Sequence, residues 1–185
     1  MQLVQVYWWS FCTQWNIPNA LSATRVVLGV TIPLWWQGSV ELILIIILWA
    51  GISDGLDGWW ARKFHKSTTI GQVFDPIADK CFINPFLACL AVSTGSVWVW
   101  LLFAGNLLYD TDNTYRRRYD IDQAFRGTLQ KVSRPVTWLS KWKTASLFLF
   151  MVAATVGLQY PAVPVGWLAA GCLFLVLLSW RKNRS

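Results

Sequence analysis

Asp54–Lys80 reads DGLDGWWARKFHKSTTIGQVFDPIADK and follows, one residue on, the apolar run ELILIIILWAGI at Glu41–Ile52. That run would sit comfortably in a bilayer, yet Asp54, Asp57, Asp75 and Asp79 lie between it and the next apolar run. Carrying one aspartate to the middle of a membrane helix costs about 2.5–3.5 kcal/mol. Four would cost on the order of 10 kcal/mol if nothing neutralised them, so a neutralising partner is expected. The first pair is spaced i, i+3 and the second i, i+4, which places each pair on one face of its own helix. Two such helices side by side aim four carboxylates at one point. Mg2+ and Mn2+ prefer such oxygen ligands, completed by water and substrate phosphates.

The composition agrees with a membrane setting. Hydrophobic residues make up 55% of the 185 and charged residues 14%, where a soluble domain carries about a quarter charged. The length accommodates about six spans of some 20 residues joined by short loops. These are expected at about Leu21–Trp36, Glu41–Trp60, Gly71–Val92, Val97–Tyr115, Lys141–Leu158 and Val163–Trp180. Met1–Trp15 is amphipathic and aromatic, and reads as a helix lying in the interface. The chain is thus expected to be an all-α integral membrane protein forming one domain over 1–185. Many of its 14 tryptophans fall at the ends of apolar runs, as interfacial anchors do. Cys12, Cys81, Cys89 and Cys172 form no CxxC pair and read as small packing residues. His65 lies in a basic loop and reads as solvated.

Charge sets the orientation. The loops Gln37–Val40, Ser93–Ser96 and Gln159–Pro164 carry no lysine or arginine. The opposite side carries Arg62, Lys63, Lys66, Arg116, Arg117, Arg118 and the basic residues that follow. By the positive-inside rule both termini are cytoplasmic. The aspartates then lie near the cytoplasmic surface, in a cavity a soluble charged substrate can enter. The net charge of +7 points to anionic headgroups and phosphorylated substrates, since the basic residues flank membrane spans, and no nucleic-acid partner is expected. Two divalent ions bridged by aspartates would clamp a pyrophosphate. Arg62 would add positive charge against a phosphate, and one aspartate would remain to take a proton from an attacking hydroxyl.

The pattern Asp54-x-x-Asp57-Gly58-x-x-Ala61-Arg62, eight residues, Gly71-x-x-x-Asp75-x-x-x-Asp79 resembles the complete motif of the CDP-alcohol phosphotransferase family. Asn16-Ile17-Pro18-Asn19-x-Leu21-Ser22-x-x-Arg25, Asp75-Pro76-Ile77-Ala78-Asp79-Lys80 and Ser140-Lys141-x-Lys143-Thr144 are similar to members that make phosphatidylglycerophosphate or cardiolipin. The resemblance implies transfer of a phosphatidyl group from CDP-diacylglycerol to an alcohol, with CMP leaving. It implies that Asp54, Asp57, Asp75 and Asp79 hold two divalent cations, and that Asp79 is also the general base. Gly58, Ala61, Arg62 and Gly71 would surround the CDP. Arg117, Lys141 and Lys143 would grip the acceptor's phosphate. A homodimer in a bacterial inner membrane is implied as well.

One position departs from that pattern: relatives acting on glycerol 3-phosphate carry an arginine–acid pair near Tyr109-Asp110, and here the arginine is missing. Glycerol 3-phosphate is the expected acceptor, with phosphatidylglycerol the alternative. Two readings of other classes compete. The aspartates could be ion-pair glue in a scaffold, or ligands in a divalent-cation transporter. Transporters usually hold ions near the midplane on the broken helices of repeated halves, and no repeat is visible here.

Overall fold

The computed structural model describes residues 17–63, 69–125, 138–160 and 163–184. Its described residues form seven helices and no strand. They are α1 Ile17–Trp35, α2 Val40–Lys63, α3 Thr69–Thr94, α4 Val97–Arg116, α5 Arg118–Phe125, α6 Trp138–Gln159 and α7 Val165–Arg184. The interfacial helix expected over 1–15 lies outside the described residues. Six helices, of 19 to 26 residues, coincide with the expected spans to within a few positions. The seventh, α5, is a short helix in the basic stretch after α4.

Among the described residues, three segments are long and apolar enough to cross a membrane: Phe74–Thr94, Trp138–Gln159 and Val165–Asn183. The remaining long helices carry charged residues within them. Arg25 lies on α1, Glu41, Asp54 and Lys63 on α2, and Asp110, Asp112 and Arg116 on α4. Large apolar side chains cover the outside, including Val27, Leu34, Ile45, Trp98, Leu149 and Phe174. Water-soluble monomers rarely expose contiguous apolar surface on that scale, whereas lipid accepts it. The chain is an all-helical membrane protein.

The interior is apolar, centred on Ile47, Phe82, Phe86, Leu90, Leu102, Leu147 and Met151. The tightest pairing is α1 against α3, followed by α4 against α7. A glycine permits the first. A Cβ added to Gly29 would fall 2.1 Å from the Cys81 carbonyl oxygen and 2.6 Å from the Phe82 Cα. Without a driving force from water, membrane helices gain from such close backbone approach. Between α3 and α4 the chain turns through Gly95, whose φ of +60° is left-handed backbone that glycine adopts readily. Its amide donates to the Ala91 carbonyl and closes the end of α3.

Candidate active site

The site is built where α1, α2 and α3 meet. Arg25 on α1 is fully buried, and a buried guanidinium requires counter-charge. Its Nη1 donates to Asp54 Oδ1 of α2 at 2.8 Å and also to Asp79 Oδ1 of α3. Its Nη2 donates to Ser22 Oγ at 3.2 Å, and the Ser22 hydroxyl donates to Asp75 Oδ1 at 2.5 Å. Asp54, Asp75 and Asp79 are thus gathered from two helices around two side chains of a third. Bonds sharing one nitrogen keep the Asp54 and Asp79 oxygens within about 6 Å of each other. Asp54 remains half exposed and Asp79 about a quarter exposed, so both still face the adjoining space.

All three donors are carboxylates, the ligand chemistry that hard divalent ions take. Among the described residues no three acidic, histidine or cysteine side chains close around a single point. Arg25 stands between Asp54 and Asp79 and neutralises both. The donor set therefore suits a divalent cation by its chemistry, but here Arg25 supplies the neutralising charge and the described carboxylates do not converge on one point. Asp57, Gly58, Ala61 and Arg62 belong to the last turns of α2, and Gly71 to the first turn of α3. Beyond that backbone placement, their surroundings lie outside the described residues.

A cavity of about 640 Å³ opens beside the carboxylates. Asp54, Asp75 and Asp79 line it, and so do Arg117, Lys141 and Lys143. Both groups expected to contact substrate, the acidic one and the basic one, therefore border one space, although 38 residues separate Asp79 from Arg117. The size falls in the usual range for a small-molecule site, about 300–1,000 Å³.

The basic residues differ in setting. Lys141 is exposed. Lys143 is buried; its Nζ donates to Asn106 Oδ1 at 3.0 Å and lies 3.3 Å from Asp110 Oδ1. It also sits 4.1 Å from the Tyr109 ring centroid, a cation–π distance. Lys80 donates to the Asp110 carbonyl oxygen at 3.0 Å and to Thr114 Oγ1, tying α3 to α4. Tyr109 is buried, and its hydroxyl accepts from Ser179 and from Asn183, and shares a further hydrogen bond with Ser140.

Sequence reasoning missed Ser22, Lys80, Asn84, Asn106, Tyr109 and Asp110 as parts of this site. A signal was available for most of them. Lys80 and Asn84 on α3, and Asn106 and Asp110 on α4, are polar pairs at i, i+4 inside apolar helices. Polar side chains at membrane depth face a partner or a function by default.

Comparison with known proteins bears on the same residues. The profile of the CDP-alcohol phosphatidyltransferase family matches residues 15–178. A relative from Pseudomonas fluorescens is 28% identical over 169 residues, covering 88% of this chain and 82% of the relative. One from Pectobacterium atrosepticum is 29% identical over 150 residues, covering 76% of each. One from Aquifex aeolicus is 38% identical over 68 residues, covering 36% of this chain and 38% of the relative. All three are named CDP-diacylglycerol--glycerol-3-phosphate 3-phosphatidyltransferase. With the spaced aspartates, their meeting beside a basic-walled cavity and a profile spanning nearly the whole chain, this protein belongs to the CDP-alcohol phosphatidyltransferase family.

Proposed function

We propose that this protein transfers the phosphatidyl group of CDP-diacylglycerol to the hydroxyl of glycerol 3-phosphate, giving phosphatidylglycerophosphate and CMP. The observation that carries the reading is one cavity lined both by the carboxylates Asp54, Asp75 and Asp79 and by Arg117, Lys141 and Lys143. The relatives' names supply the acceptor.

In this reading Asp54, Asp57, Asp75 and Asp79 hold two divalent cations, Mg2+ or Mn2+. When bound, such ions neutralise the diphosphate and stabilise the attacking and leaving oxygens. Gly58, Ala61, Arg62 and Gly71 surround the CDP, with the glycines allowing close backbone approach. Arg117 and Lys141 draw the acceptor's phosphate to the basic wall, with Lys143 behind them. Asp79 takes the proton of the acceptor hydroxyl. The oxygen attacks the phosphorus that bears diacylglycerol, the bond from that phosphorus to the bridging oxygen breaks, and CMP leaves with that oxygen.

The proposal extends to the setting. Six helices span a bacterial inner membrane, with residues 1–15 in the interface, both termini cytoplasmic and the cavity open to the cytoplasm. Charge asymmetry between the loops supports the orientation, and homodimerisation is proposed on the family resemblance. The single 1–185 domain is consistent with a family profile over 15–178.

A second acceptor has one observation in its favour. Lys143 is already paired with Asp110, and tyrosine stands at position 109. A basic wall with less net charge suits a phosphodiester such as phosphatidylglycerol, which would give cardiolipin. The two are separated by supplying purified protein with CDP-diacylglycerol and either glycerol 3-phosphate or phosphatidylglycerol, then identifying the lipid by mass spectrometry. Phosphatidylglycerophosphate is the expected product. Cardiolipin alone would overturn the acceptor assignment, and cation flux without CMP release would favour the transporter.

A further inference from the structure

A buried polar cluster lies outside the family motif, on the basic side of the cavity. Asp110 is 6% exposed and Lys143 is 4% exposed. Asp110 Oδ2 accepts from Asn84 Nδ2 at 3.1 Å and from Asn106 Nδ2 at 3.0 Å. Its Oδ1 faces Lys143 Nζ at 3.3 Å. Asn106 Nδ2 also donates to Asn84 Oδ1 at 2.9 Å, so the two amides hold each other as well as the carboxylate. An ammonium has three protons to give. Asp110 and Asn106 accept from Lys143, and the Tyr109 ring lies beside it. The charge of Lys143 is therefore balanced inside the protein, although both members of the pair border the cavity.

This changes what Lys143 can offer a substrate. A buried ammonium without a counter-ion is costly, and so is a lone buried carboxylate. An incoming phosphate can become the partner of Lys143 only by competing with Asp110. A neutral alcohol has no charge with which to compete.

We propose that Asp110 is a positioning residue that holds Lys143 in the cavity wall as an internal counter-anion, which the phosphate monoester of the acceptor displaces. The inference rests on the proposed transferase reading. It adds that Asp110 sets how tightly Lys143 can grip the acceptor's phosphate.

The test is Asp110→Asn, which keeps the shape and most of the hydrogen bonding while removing the charge. The KM for glycerol 3-phosphate is expected to fall about fivefold, equivalent to roughly 1 kcal/mol, with the KM for CDP-diacylglycerol unchanged. Asp110→Glu, which keeps the charge, is expected to restore a KM closer to that of the parent. Glycerol 3-phosphate and inorganic phosphate should each raise the melting temperature of Asp110→Asn more than that of the parent, because they supply the missing counter-charge.

A merely structural role would lower kcat or move both KM values together, and would leave the phosphate-dependent melting shift the same in both proteins. Either result overturns the proposal. If Asp110→Asn does not fold in detergent, it is extracted with inorganic phosphate present. Recovery of folded protein is expected, and failure to recover overturns the inference. CMP release by the parent tests the transferase reading separately. Should the parent release none, the melting shift with inorganic phosphate needs no turnover and decides the matter.

Discussion

Arg25 is the residue around which the site closes. A full positive charge with no exposure is tolerable because it meets Asp54 and Asp79 directly and Asp75 through Ser22. Removing one member of a buried ion pair costs about 3–5 kcal/mol. Asp54 is half open to the cavity, which screens part of that loss. Arg25→Gln is therefore expected to lose roughly 2–3 kcal/mol. Mg2+ should raise its melting temperature more than that of the parent, since a divalent ion can neutralise the carboxylates left behind. Melting curves with and without Mg2+ check this, and a variant as stable as the parent without the ion would contradict it. Asp54, Asp75 and Asp79, which the structure gathers, were legible in the sequence because their spacing is local and their placement near lipid is expensive. The partner of Arg25 was not legible. Asp54 lies 29 residues away and Asp79 lies 54 away, and an arginine near a helix end can equally reach the interface by snorkelling. The contact of Asp110 with Asn84, 26 residues away, was hidden for the same reason, whereas Asn106 and Asp110 are four apart and readable as a pair.

Among the elements, α1 matters most, because it delivers Ser22 and Arg25 to carboxylates on α2 and α3. Its seat on α3 depends on Gly29, where an added Cβ would strike backbone. Backbone cannot rotate away as a side chain can, so the helices must separate. Gly29→Ala is expected to cost about 1–3 kcal/mol, as overpacking does, and Gly29→Leu to cost more. Both should lower CMP release as Ser22 and Arg25 shift from the aspartates. Unfolding midpoints measured beside turnover check this, and a Gly29→Leu variant with parental values in both would contradict it. The long helices were legible from apolar run length, with boundaries within a few residues. α1, α2 and α4 also carry polar groups of the site: Ser22 and Arg25, Asp54, and Asn106 and Asp110. The tight approach of α1 to α3 was not legible. Gly29 looks like any other small residue until the opposing backbone at Cys81 and Phe82 is known.

For the whole molecule, loop charge is the strongest sequence signal. In the proposed orientation, Ser96 lies outside and Lys182 inside. Single cysteines placed at these positions in a cysteine-free background should react differently with a membrane-impermeant maleimide applied to intact cells. Labelling is expected at position 96 and not at position 182, and the reverse would contradict the proposed topology. The meeting of the acidic and basic groups in one cavity belongs to this scale too. The motif alone separates the aspartates from Lys141 and Lys143 by more than sixty residues. Packing of α3, α4 and α6 around the cavity brings them together.

The central claim is that the gathered carboxylates perform phosphatidyl transfer, with Asp79 taking the acceptor's proton. Its most direct test is CMP release from CDP-diacylglycerol with glycerol 3-phosphate, measured for the purified parent and for Asp79→Asn, each shown to be folded by its melting transition. The parent should release CMP in the presence of Mg2+ or Mn2+, and Asp79→Asn should release essentially none while remaining folded. Parental turnover by Asp79→Asn would contradict the account.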